Sequence, residues 1–113
     1  MINLQHLQTL SKGNTGFISE ILQVYLTNVP RDFEELQTSF NEGNMEKVQY
    51  LAHKLKSSTF TIGFDKGYKL FQEIEHLLKD GKGESKIPDL IDQANSACTQ
   101  SIVDVKIELS GYL

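Results

Sequence analysis

From Phe17 to Phe40 the apolar residues fall three or four positions apart: Phe17, Ile18, Ile21, Leu22, Tyr25, Leu26, Val29, Phe33, Leu36 and Phe40. This is the helical period, and it returns in each segment that the glycines mark off. A chain patterned this way buries its apolar surface by laying the stripe of one helix against the stripes of others. A short first segment, residues 3–11, carries Leu4, Leu7 and Leu10. A third starts at Asn44, a good helix-capping residue type, and carries Met45, Val48, Leu51, Ala52, Leu55, Thr59 and Ile62 before Gly63. A fourth runs from about Asp65 to Lys79, with Leu70, Phe71, Ile74, Leu77 and Leu78, and stops at Gly81. The fifth starts near Ser85, with Pro88 tolerated in its first turn, and carries Leu90, Ile91, Ala94, Ala97, Cys98, Ile102, Val105 and Leu109. No stretch alternates apolar and polar residues as a strand would. The expected fold is all-α, an up-down four-helix bundle with a short extra N-terminal helix, forming a single domain over residues 1–113. Pro30 falls inside the second run. Proline removes a backbone hydrogen bond and crowds the preceding turn, so this run is either one kinked helix or two helices meeting near Asn28.

Charge and composition exclude several classes of function. The net charge is −4 and the lysines are scattered, so no basic face is available for nucleic acid. No apolar run approaches the roughly 18 residues that cross a bilayer, and no signal pattern opens the chain. Cys98 is the sole cysteine, so no internal disulfide can form, and a reduced, cytoplasmic setting is expected. Cys98 also falls on an apolar stripe, where a thiol behaves as a small hydrophobe. Met1 and the short length favour a free-standing protein, expected to be a monomer.

Among the three histidines, His53 stands in "LAHKLKSSTFTIG", residues 51–63. On a helical wheel with Val48 at zero, the apolar stripe of this segment centres near zero and His53 falls at about 140°. Gln49 lies at about 100°, Ser57 at about 180°, Phe60 at about 120° and Lys56 at about 80°, whereas Lys54 diverges to about 240°. His53 therefore faces outward in a row with Gln49, Ser57 and Phe60, with Lys56 at its edge. A solvated helix face is the plain alternative. A neutral imidazole is nucleophilic near neutral pH, however, and a lysine one turn away can offset the charge of a phosphoryl group.

The run "AHKLKSSTFTIG", followed by "LFQEIE", resembles the histidine-containing phosphotransfer (Hpt) domain of two-component phosphorelays. His53, Leu55, Lys56, Ser58 and Gly63 fill the places of that family's signature, while Ser57 stands where glycine is usual. The resemblance implies a four-helix bundle with the histidine exposed midway along one helix. It implies that His53 accepts a phosphoryl group from the phospho-aspartate of a receiver domain and passes it to another receiver. The expected partners are response-regulator receiver domains and a hybrid sensor histidine kinase. No cofactor is expected on this chain, since Mg²⁺ would be supplied by the receiver, and no kinase activity is expected of it. Lys56 is then expected to screen the phosphoryl charge, with Lys54 a weaker candidate. Glu75 matches a position that orients the imidazole through its other nitrogen; the plain alternative is a boundary residue. Gln49, Tyr50, Ser57 and Phe60 are expected to form the contact surface, with Phe17 and Ile18 as further contributors or ordinary core residues.

Two other classes of function compete with this reading. Glu73-x-x-His76 has the spacing of di-iron bundle sites, but no second copy precedes His6 or His53, so no metal site is expected. A bundle that binds a receiver or kinase domain without being phosphorylated is the remaining alternative.

Overall fold

Asparagine side chains open two of the main helices. Asn14 Oδ1 accepts from the Phe17 amide at 3.0 Å, and Asn44 Oδ1 accepts from the Lys47 amide at 3.2 Å. In the computed structural model, which describes residues 2–81 and 83–112, the helices are α1 (Gln5–Ser11), α2 (Thr15–Asn41), α3 (Met45–Thr61), α4 (Asp65–Asp80) and α5 (Ile87–Ser110). A single 3₁₀ turn, Glu84–Lys86, leads into α5. Gly81 ends α4 in the left-handed conformation, φ 65°, that glycine adopts at least cost. Among the described residues there is no strand.

The second apolar run is one helix, with Pro30 inside it. The two-helix alternative is therefore excluded. Pro30 points to solvent, while Ile18, Leu22, Tyr25, Val29, Phe33 and Leu36 form an unbroken buried stripe on either side of it. Burial of that stripe outweighs the few kcal/mol that an interior proline costs.

α3 packs between α2 and α4, and α5 closes the bundle against α2 and α4. Connections are short, so neighbours run antiparallel. Leu22, Val29, Leu36, Val48, Leu55, Phe71, Ile74, Ala94 and Val105 are completely buried at the centre. Gly67 of α4 has no room for a side chain between the Phe64 ring at its own N-cap and Thr59 of α3. A Cβ there would lie 2.7 Å from the Phe64 ring and 3.0 Å from Thr59. At the end of α3, Gly63 has φ +66°, and the N-terminal segment crosses it: the Asn3 amide donates to the Ile62 carbonyl at 3.0 Å. No helix among the described residues is long and apolar enough to cross a membrane.

Cys98 lies in the core, where burial pushes its thiol up to about 12. Burial likewise raises the phenol of neighbouring Tyr25, partly offset by its 2.7 Å hydrogen bond with Ser101 Oγ. Both groups ionise more readily in the unfolded chain. Their contribution is intact below the unfolded thiol value of 9.0 and is lost as pH rises toward about 12. The unfolding free energy from urea titration is expected to fall above pH 9, by on the order of 1.4 kcal/mol per pH unit for the thiol alone. Cys98→Ala should flatten that slope, and an unchanged slope would refute the assignment.

Candidate functional site

His53 sits midway along α3, with its side chain 61% exposed. Its Nδ1 lies 2.7 Å from Glu75 Oε2, on α4. The other oxygen, Glu75 Oε1, accepts from Lys56 Nζ at 2.6 Å. One carboxylate thus joins the histidine to the lysine one turn further along. α4 packs along α3, and Glu75 on it is within reach of both.

Burial alone would raise the Glu75 carboxyl. Hydrogen bonds from Lys56 and His53 and their charges outweigh it, so the group is held below its ordinary value of 4.5. An ionised carboxylate only accepts hydrogen bonds. The proton of a neutral His53 ring therefore sits on Nδ1, donated to Glu75, and the Nε2 lone pair is left facing out of the bundle.

Lys54 is placed elsewhere. Its Nζ lies 3.4 Å from both oxygens of Asp32 on α2. The structure does not bring Lys54 into the His53–Glu75–Lys56 group. Asp32 itself went unnoticed in the sequence. Its signal was a carboxylate three residues after Val29 and four before Leu36, on the buried stripe.

The outward row is arranged as the wheel predicts. Ser57 is exposed one turn beyond His53, Gln49 is half-buried one turn before it, and Tyr50 is exposed. Phe60 is 57% exposed and is flanked by His6 of α1, at a ring-centroid distance of 6.0 Å, and by Tyr68 of α4, at 5.6 Å. These rings border a surface cavity of about 540 Å³ beside the α3–α4 turn. The cavity is not at His53, whose imidazole stands on an open face. Phe17 is exposed, but Ile18 is completely embedded in the core and cannot contribute to a contact surface. Glu73 and His76 both face solvent, and His76 Nε2 lies 3.2 Å from Asp80 on its own helix. Among the described residues no group of three or more His, Cys, Asp or Glu side chains could hold a metal ion.

The family model of the Hpt domain matches residues 20–106, which take in α3, α4 and most of α2 and α5. The chain belongs to the Hpt domain family. A relative of this Hpt domain, the phosphorelay intermediate protein YPD1 of Candida albicans, is 31% identical over 58 residues, covering 51% of this chain and 32% of that protein. The chain therefore spans about a third of the length of this curated relative. Histidine-containing phosphotransfer protein B (HptB) of Pseudomonas aeruginosa superposes with a TM-score of 0.88 over 99% of this chain and 96% of the other, at 17% identity, which speaks to the fold alone. The Hpt domain of a sensor hybrid histidine kinase from Shewanella gives 0.83 at 25% identity, over 97% and 94%. The all-α bundle expected from the apolar period is the fold of both solved relatives.

Proposed function

We propose that this chain is a phosphorelay intermediate whose His53 Nε2 takes a phosphoryl group from the phospho-aspartate of a receiver domain and hands it to the aspartate of another. The observation that carries this reading is the Nδ1–Glu75 hydrogen bond on an exposed imidazole. It leaves Nε2 unprotonated and aimed at solvent, where a docked partner can bring phosphorus in line. As the Nε2–P bond forms, the P–O bond to the aspartate breaks and its electron pair returns to the carboxylate. The Nδ1 proton stays in place, and positive charge grows on the ring beside Glu75, which stabilises it. Lys56, held on the same carboxylate, keeps the group electrically balanced before transfer and is one turn from the incoming phosphoryl.

The chain acts in this scheme as a phosphocarrier with no kinase activity of its own. Phosphoryl transfer depends mainly on positioning and charge stabilisation, and a rigid bundle supplies both. Mg²⁺ would belong to the receiver's site. Gln49, Tyr50, Ser57 and Phe60 would meet the receiver, with apolar area from the two rings. The reading is tested by incubating the chain with phosphorylated receiver domains. Acid-labile, alkali-stable label on this chain supports it, and its absence with every receiver of the source organism would end it.

Glu75→Gln keeps a hydrogen-bond acceptor but removes the charge. Transfer is expected to slow roughly tenfold or more, the scale of one charge-assisted hydrogen bond. The parent's stability from this carboxylate is full above the unfolded value of 4.5 and is lost as pH falls through its lower folded value. Acid unfolding of Glu75→Gln should accordingly be less steep below that pH. Rates equal to the parent's would take Glu75 out of the mechanism.

A further inference from the structure

We propose that Asp32 is a positioning residue that keeps the Lys54 ammonium away from His53 and so limits how long a phosphoryl group is retained there. This rests on His53 being the acceptor. Lys54 is the residue next to His53, and nothing in its own helix holds its ammonium. What holds it is a carboxylate from α2, 22 residues away in sequence, with Nζ 3.4 Å from both oxygens.

The carboxylate is costly where it stands. Asp32 is 1% exposed on the apolar stripe of α2, and its Oδ2 accepts no hydrogen bond among the described residues. An apolar side chain would fit that stripe at lower cost. The second cation nearby is Arg31, 3.5 Å from Oδ1 and mostly exposed. The contact to Lys54 is long and half-open, with 42% of the lysine side chain exposed. It is a contact held by charge, not by a tight hydrogen bond, and it disappears with the charge.

Lys56 is committed to Glu75, and Lys54 to Asp32. Both lysines beside His53 are thus neutralised before a phosphoryl group arrives. A dianion on Nε2 would attract whichever is released first. Lys54 has a flexible four-carbon stem that can swing across the 100° separating it from its neighbour on the helix. A relay intermediate must give its phosphoryl group up again, and an ammonium clamped on it would oppose that. Asp32 competes for that ammonium.

The full-length chain can be phosphorylated with phosphoramidate, a small donor that needs no partner, and the phosphohistidine followed by ³¹P NMR. Asp32→Asn is expected to lengthen retention of the phosphoryl group about three- to fivefold, the scale of one half-exposed ion pair. The double variant Asp32→Asn/Lys54→Gln should return to the parent's half-life. A gain that persists in the double variant, or no gain in a folded Asp32→Asn, overturns the proposal. Should Asp32→Asn not fold, the parent still decides: the Lys54 ammonium resonance is expected to stay unmoved on phosphorylation, and a shift to a phosphate-bound position overturns it. Failure of the parent to label at all would instead remove His53 as acceptor, and this proposal with it.

Discussion

Replacing His53 by Gln is expected to leave a folded protein that takes no label from a phosphorylated receiver. The side chain is 61% exposed and lies on none of the buried stripes, so the fold should lose little. Glutamine can still donate to Glu75, which keeps the carboxylate and Lys56 in place. What it lacks is a nucleophilic ring nitrogen, because its amide lone pair is delocalised. Labelling should fall to background while helical content and the urea midpoint stay near the parent's. The two other histidines make the outcome decisive. His6 packs on the Phe60 ring, and His76 turns Nε2 rather than Nδ1 to Asp80, an exposed carboxylate on its own helix, so neither reproduces the buried Glu75 that joins His53 Nδ1 to Lys56. Label retained at the parent's level in His53→Gln would move the acceptor to one of them. An unlabelled but well-folded variant that still binds receivers separates phosphotransfer from docking, which also disposes of the pure interaction module.

The largest expected loss of stability comes from Phe71→Ala. Phe71 is completely buried, and its ring meets Phe33 of α2 edge-on at a centroid distance of 6.1 Å. It stands one turn before Glu75 on α4. Deleting the ring should cost about 3–5 kcal/mol, transfer free energy plus the cavity left behind. That is a large part of the roughly 5–15 kcal/mol that holds a domain of ordinary stability together. Urea unfolding would measure it. A loss below about 1 kcal/mol would mean that the bundle collapses readily into the space and is less tightly packed than the burial indicates. The variant should also transfer phosphoryl groups more slowly below its melting temperature, since α4 would hold Glu75 less firmly against His53.

The course of α3 was legible in the sequence because a single period decides it. Val48, Leu51, Ala52, Leu55, Thr59 and Ile62 are all buried, and His53, Ser57 and Phe60 are all exposed. The ends of the helices were legible for local reasons as well, in Asn44 and Gly81. Pro30 was ambiguous because two terms of similar size oppose one another there, a local backbone penalty and the burial of a continuous stripe. Phe17 and Ile18 differ by 100° on α2, and only the angle of that helix to its neighbours decides which of them goes inside. The charges were hardest to read. Lys54 and Lys56 both stand beside His53 in the sequence, yet their partners, Asp32 and Glu75, come from different helices. A helical wheel gives the direction of a side chain and not what waits for it there.

The two faces of α3 share no residue. One face, from Val48 to Ile62, is closed within the bundle, and the other, Gln49, His53, Ser57 and Phe60, touches it only at the margins. Changes of side chain on the outer face therefore leave the folding problem almost untouched. On the proposed function, the same scaffold would be re-addressed to a different receiver by a few outward substitutions at Gln49, Ser57 and Phe60, with His53 and Glu75 carried along unchanged. Ser57, exposed one turn beyond the imidazole, is the position from which such divergence would start.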